Sequence, residues 1–66
     1  MTIELNGAPR QIRDGTSVAE LIREITGAER GTAAVVDGEV VPRSCWATTT
    51  LRAGQTVELV TAVQGG

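Results

Sequence analysis

Residues 56–63 read Thr-Val-Glu-Leu-Val-Thr-Ala-Val, the longest and most β-branched run of the chain. Side chains along a strand point to alternate faces of a sheet, and Glu58 must face water. Val60 and Ala62 then share the outer face with Glu58. The residues predicted to face inward are Val57, Leu59, Thr61 and Val63. We therefore predict a long fifth strand, whose neighbours must come from the shorter strands before it.

Two hairpin signals precede this strand. Asn6-Gly7 and Asp37-Gly38 each place two residues that tolerate positive φ between short strand-like runs, which is typical of type I′ turns. Proline cannot donate to a strand ladder, so Pro9 and Pro42 mark the second and fourth strands as edges. The fifth strand must then join the two hairpins, which predicts the sheet order 2-1-5-3-4.

A helix is predicted between the hairpins. Ser17-Val18-Ala19-Glu20 is a capping box, and an apolar stripe runs on at i, i+3, i+4 and i+7 from Val18. Gly27 suits the position just after the helix. With about nine residues the helix is too short to be stable alone, so it must pack across the sheet. The order β-β-α-β-β-β predicts an α+β fold, the β-grasp or ubiquitin-like architecture with a mixed five-stranded sheet.

The composition narrows the possible functions. The 66 residues suffice for one small domain, predicted as residues 1–63, and leave little scaffold for an enzymatic cleft. Six scattered arginines among eight acidic residues argue against a nucleic-acid partner. Without histidine there is no imidazole base, and one cysteine forms no internal disulfide. With no signal peptide and no apolar run of about 20 residues, we expect a cytoplasmic protein with no membrane partner.

Residues 64–66, Gln-Gly-Gly, are expected to form a flexible tail. Glycines adopt any φ and thread narrow channels, and a C-terminal Gly66 presents a carboxylate with no Cβ beside it. This carboxylate is ionised at neutral pH and is a poor electrophile, so it reacts only after another protein converts it to an acyl adenylate with ATP. The strand and tail would form an arm with a reactive end; the alternative is a frayed end that happens to be glycine.

Four stretches carry a resemblance to a known family. They are Ile3–Gly7, Gly15–Leu21, Asp37–Arg43 followed by Trp46, and Val60–Gly66. Together they cover nearly the whole chain and resemble the ThiS family, the sulfur carrier proteins of thiamine biosynthesis. The Val-Pro-Arg element with Trp46 and the tail are the specific parts, because the fold is shared with many proteins of other function.

The resemblance implies a protein co-substrate rather than an enzyme, with no cofactor bound to the carrier itself. An adenylating, E1-like activating enzyme would use ATP on Gly66, and persulfide sulfur from a donor such as a cysteine desulfurase would displace AMP. Thiazole synthase would take the sulfur from the resulting thiocarboxylate. Gly65 and Gln64 would lie in a channel of the partner. The candidates for apolar contact beside that channel, which are equally well explained as ordinary sheet residues, are Val60, Ala62 and Val63.

Other functions remain open on the sequence. A carrier for molybdopterin or cysteine synthesis shares the fold and tail, but such relatives tend to be longer and lack the Val-Pro-Arg element with Trp46. A ubiquitin-like modifier uses the same tail chemistry; the chain has no lysine, so lysine-linked chains are excluded but single attachment is not. A plain interaction domain with an inert tail predicts that removal of Gly66 changes nothing.

Residues 43–51 lack a clean period and are predicted to contain a short turn or 3₁₀ segment. Cys45 is interpreted as structural or incidental rather than as a persulfide relay, because Arg43 is the only cationic residue near it in sequence. Trp46, the only aromatic residue, is expected to cover the rim of the core with its N–H pointing outward. For Arg43 the alternatives are a salt bridge, contact with an acidic partner and a solvated side chain, of which the solvated side chain is favoured.

Overall fold

A computed structural model of the chain describes residues 1–27 and 30–61. The elements in chain order are β1 Thr2–Leu5, β2 Ala8–Gln11, α1 Val18–Ile25, β3 Thr32–Val36, β4 Glu39–Val41, a 3₁₀ helix Arg43–Thr48, and β5 Thr56–Thr61. The strands form one sheet in the order β2-β1-β5-β3-β4. β5 runs parallel to β1 and antiparallel to β3, and both hairpins are antiparallel. The predicted β-grasp order, with the fifth strand central, is confirmed.

The two hairpin turns have the backbone geometry that their residues favour. Asn6 and Asp37 lie at φ 49° and 50°, and the glycines that follow them at 85° and 84°. Positive φ at both central residues is the requirement of a type I′ turn. The edge strands are the two marked by proline: β2 contains Pro9, and Pro42 directly follows β4.

The predicted capping box starts α1. The Glu20 amide donates to the Ser17 hydroxyl oxygen at 3.2 Å, and the Ser17 amide donates to the Glu20 carboxylate at 3.1 Å. The helix ends at the C-cap Thr26, and Gly27 follows at φ 68°. Its apolar stripe faces the sheet: the fully buried members are Val18, Leu21 and Ile22, with Ile25 partly buried.

The capping box also sets the charge state of Glu20. The pKa of Glu20 lies below its ordinary value of 4.5 because the Ser17 amide, and then the Ser17 hydroxyl, donate to its carboxylate. Arg13 and Arg23 favour the charged form as well. These interactions are absent in the unfolded chain, so the ionised carboxylate stabilises the fold above pH 4.5. That contribution is lost as the pH falls through the lower pKa of the folded state.

We expect Glu20→Gln to lose stability less steeply than the wild type on acidification. The free energy of unfolding should be measured by urea titration from about pH 7 to about pH 3, because the linked contribution disappears in the acidic part of this range. Glu24→Gln, an exposed substitution on the same helix outside the capping box, is the matched control for the loss of a carboxylate. Identical slopes for all three proteins would contradict the linkage.

The core lies between α1, the 3₁₀ helix and the inner face of the sheet. Its members are Ile3, Ile12, Val18, Leu21, Ile22, Ala34, Val36, Trp46, Leu51, Val57 and Leu59. Val57 and Leu59 are buried as predicted, but Thr61 is exposed, so the prediction for Thr61 is wrong. Strand alternation gives the face of a residue but not how far the core extends along the strand. Thr61 lies opposite Thr32, the first residue of β3, at the margin of the sheet. The inward prediction for Val63 falls outside the described residues.

Trp46 is buried rather than placed at the rim, with 3% of its surface exposed. Its indole Nε1 donates to the Val41 carbonyl oxygen at 2.9 Å, so the expectation of an outward N–H is wrong. A buried indole N–H needs an acceptor, and the 3₁₀ helix turns Trp46 back onto the end of β4 where this carbonyl lies. The predicted 3₁₀ segment is confirmed.

Candidate partner-binding face and tail

Of the six predicted site residues, Val60 is the one that lies within the described ranges. Gln64, Gly65 and Gly66, together with Ala62 and Val63, fall outside residues 1–27 and 30–61. Val60 lies on the outer face of β5 and is 58% exposed, as the alternation predicts. The described part of the site is therefore the strand that leads to residue 62 and the surface around that strand.

Cross-strand pairing places other apolar side chains on the same face of the sheet as Val60. Val60 lies opposite Ala33, and on the same outer face Val35 lies opposite Val40. Val40 is 71% exposed, and it and Val60 are the two exposed large hydrophobic residues of the described ranges. We call the surface formed by Ala33, Val35, Val40 and Val60 the outer apolar face. An exposed apolar patch on a small protein usually marks a contact site.

Sequence reasoning misses Val40. The available signal is the alternation of Glu39-Val40-Val41 after the Asp37-Gly38 turn, which sends Val40 and Val41 to opposite faces. Only the register of β4 on β3 brings Val40 into the same patch as Val60. The patch is thus a product of pairing between segments about twenty residues apart.

Acidic side chains border the outer apolar face. Glu58 is exposed on β5 and lies opposite Val35, and Glu4 on β1 lies opposite Thr56 further along the same strand. The chain as a whole has a net charge of −2. A partner with an apolar centre and a cationic rim would match the apolar character and the charge of this surface.

Two turn side chains bind the backbone of β5 near its two ends. At the start of the strand, the Asp37 carboxylate accepts from the Thr56 amide at 2.9 Å and from the Gln55 side-chain amide at 3.1 Å. Towards the tail, the Asn6 side-chain oxygen accepts from the Leu59 amide at 2.9 Å. Sequence reasoning assigns Asn6 and Asp37 to turns alone and misses these bonds, because they join residues far apart in the chain.

A groove of about 370 Å³ lies beside β4 and the 3₁₀ helix. Val40, Pro42 and Cys45 contribute to its lining, and the Cys45 thiol is free and exposed. The interpretation of Cys45 as incidental stays a prediction. Within residues 1–27 and 30–61, no three His, Cys, Asp or Glu side chains come together as a metal site would require. Across the same ranges, no helix combines the length and apolar character of a membrane crossing.

Comparison with known proteins places this geometry in a family. The description of the matching family model is "ThiS family", and the match covers residues 3–66. The crystal structure of the thiamine biosynthesis protein ThiS from Geobacter metallireducens is 28% identical, with a TM-score of 0.82 over the whole of both chains. A solution structure of a thiamine biosynthesis protein from the same organism is 28% identical, with a TM-score of 0.85 over all of this chain and 88% of that one.

A search of curated proteins found no match. The family match nevertheless includes β5, the outer apolar face and the glycines at positions 65 and 66. The chain therefore belongs to the ThiS family, whose members are non-enzymatic sulfur carriers of thiamine biosynthesis.

Proposed function

We propose that this chain delivers sulfur to thiazole synthase as a thiocarboxylate on Gly66. The observation that carries the proposal is the continuity of the family match through β5 to residue 66. β5 lies in the middle of the sheet, held by β1 and β3, and its last described residue is Thr61. A strand fixed on both sides is a firm base from which a short arm can present its end to an enzyme.

The chemistry runs in three steps, all performed by partner enzymes. An E1-like activating enzyme transfers AMP from ATP to the Gly66 carboxylate and releases pyrophosphate. The terminal sulfur of a persulfide, supplied by a donor such as a cysteine desulfurase, displaces AMP, and a thiol then cleaves the S–S bond to leave the thiocarboxylate. Thiazole synthase takes up this nucleophilic sulfur and the carrier returns as a carboxylate. Sulfur bound to the carrier moves between the enzymes without release of free sulfide.

The residues after Thr61 form the arm in this proposal, and the length of this arm restricts where both enzymes can bind. Gly66 is the fifth residue after Thr61, and five fully extended residues span at most about 18 Å. The reacting atoms of each enzyme must come within that distance of Thr61. We therefore propose the outer apolar face, which includes Val60 on the same strand, as the docking surface for each enzyme in turn.

The proposal also includes the bounds of the domain and the roles of the residues after Thr61. Residues 1–63 form the folded domain of a cytoplasmic carrier, and residues 64–66 form its flexible tail. Gln64 and Gly65 occupy the channel of the partner, where a side chain at position 65 would not fit. Ala62 and Val63 extend the apolar contact that begins at Val60.

Intact mass spectrometry tests the proposed function. The purified chain is incubated with ATP, a ThiS-activating enzyme and a persulfide donor, and a sample without ATP is the control. We expect the mass gain of one oxygen replaced by sulfur, located at Gly66 by fragmentation. An unchanged mass, in a reaction that converts a known carrier, would overturn the proposal and favour a protein modifier or an inert interaction domain.

Val60→Asp is expected to weaken binding to the activating enzyme by about tenfold or more, because it places a charge at the centre of an apolar contact. Val60 is exposed, so the free energy of unfolding should change little. Binding is measured by calorimetry and folding by urea titration. Gln11→Asp adds the same charge at an exposed position of the edge strand β2 and should bind normally.

Equal weakening by Val60→Asp and Gln11→Asp would mean that net charge, not the outer apolar face, governs docking. Loss of folding in Val60→Asp alone would contradict the assignment of Val60 to the outer face.

A further inference from the structure

We propose that Asn6 is a positioning residue for the reacting end of this carrier, and that its side chain fixes the direction in which the chain leaves β5. The proposal rests on the proposed function above. It gives Asn6 a role beyond its turn, which is to hold Leu59 in place. Leu59 lies two residues before Thr61, the last described residue of β5.

The Asn6 side chain hydrogen-bonds β5 just beyond the point where backbone pairing between β5 and β1 ends. The last parallel pair between β1 and β5 is Leu5 with Val57. The chain then turns at Asn6, whose own amide still donates to the Val57 carbonyl at 2.9 Å. Beyond this point the Asn6 side chain supplies to Leu59 the acceptor and the donor that a continuing neighbour strand would supply. Its oxygen accepts from the Leu59 amide at 2.9 Å, and its Nδ2 donates to the Leu59 carbonyl at 3.4 Å.

The end of β5, from which the arm leaves the sheet, is restrained on both of its edges. β3 pairs with β5 as far as Thr32 opposite Thr61, so one edge of the strand is held to its end. Asn6 holds the other edge at Leu59, directly beside Val60 of the outer apolar face. Without the Asn6 bonds, the end of β5 could twist about the β3 edge, and the arm would leave the sheet in many directions. Reaction at Gly66 requires one direction relative to a docked enzyme, because small misplacements of reacting groups slow chemistry strongly.

Asp37 provides an internal comparison for this role. It lies at φ 50° where Asn6 lies at 49°, each is followed by glycine, and each side chain accepts from a β5 backbone amide at 2.9 Å. The difference is position: Asp37 holds Thr56, the first residue of β5, and Asn6 holds Leu59 near the tail. Two matched substitutions can therefore separate a general loss of stability from a specific loss at the tail.

The experiment compares Asn6→Gly with Asp37→Gly. Glycine keeps the positive φ of each type I′ turn and removes only the side-chain bonds. For each variant we would measure the unfolding free energy, amide exchange at Leu59 and Val60, and kcat and KM for pyrophosphate release by the activating enzyme. Docking depends on the outer apolar face, which both variants retain.

We expect both variants to lose similar stability, and only Asn6→Gly to lower kcat, by about fivefold or more with KM nearly unchanged. Faster amide exchange at Leu59 should accompany that loss and be absent in Asp37→Gly. Normal kcat in Asn6→Gly, or equal losses in both variants, would overturn the positioning role. If the wild-type chain itself is not adenylated, the proposed function fails first, and amide exchange at Leu59 still reports whether Asn6 restrains the strand.

Discussion

Deletion of Gly66 is expected to reduce thiocarboxylate formation by more than about a hundredfold while leaving the free energy of unfolding unchanged. One residue of extended chain spans about 3.3–3.6 Å, so the new carboxylate on Gly65 would stop short of the α-phosphate of ATP by that distance. Misplacement of reacting groups by about 1 Å already costs on the order of a hundredfold. The measurement is the rate of the mass gain described above, together with urea unfolding.

Gly66→Ala is the matched control for chain length. It keeps the reach of the arm and adds one methyl group beside the carboxylate, so we expect a smaller loss than the deletion causes. Deletion without effect on the rate would show that the tail is inert. Loss of stability in the deletion variant would show instead that the tail belongs to the folded domain.

Trp46→Ala is expected to remove at least about a third of the free energy of unfolding. Truncation of a buried aromatic residue costs about 3–5 kcal/mol, and a domain of this size has a total stability of about 3–10 kcal/mol. Trp46 is 3% exposed and donates to the Val41 carbonyl, so both packing and a hydrogen bond are lost. Circular dichroism is the measurement of choice, because the chain has no other tryptophan for fluorescence.

Trp46→Phe separates the contribution of Trp46 packing from that of its hydrogen bond to Val41. It keeps most of the apolar ring and removes the donor to Val41, so a loss of about 1 kcal/mol plus a packing change is expected. Near-wild-type stability of Trp46→Ala would mean that Trp46 lies at the rim, as the sequence alone suggests, and that the observed burial contributes little.

Local signals in the sequence predict most of this fold. Asn6-Gly7, Asp37-Gly38 and the Ser17 capping box act within a few residues, and each has the geometry that its residues favour. Proline placement extends these signals to the whole sheet, because Pro9 and Pro42 exclude two strands from its interior. The central position of β5 follows by elimination, although no local pattern identifies its neighbours.

The features that sequence reasoning misses all depend on contacts between distant residues. Val40 joins Val60 through the register of three strands, and the Asn6 side chain reaches a residue 53 positions away. The orientation of the Trp46 N–H depends on where the 3₁₀ helix returns to β4. Strand alternation assigns Thr61 to the inner face, but Thr61 is exposed because it lies at the margin of the sheet. Alternation and turn propensity carry no information about these distances.

The central position of β5 has a consequence for how the protein is made. During synthesis the ribosome delivers β5 after every other strand of the described fold. Until it arrives, the β1–β2 and β3–β4 hairpins have no strand between them, and isolated hairpins are marginally stable at best. Val60 also arrives with β5, so the outer apolar face is complete only once β5 has been made. Under the proposed function, a nascent chain that still lacks β5 would offer neither the docking face nor the reactive end, so the proposed partner enzymes would engage only chains that have completed this strand.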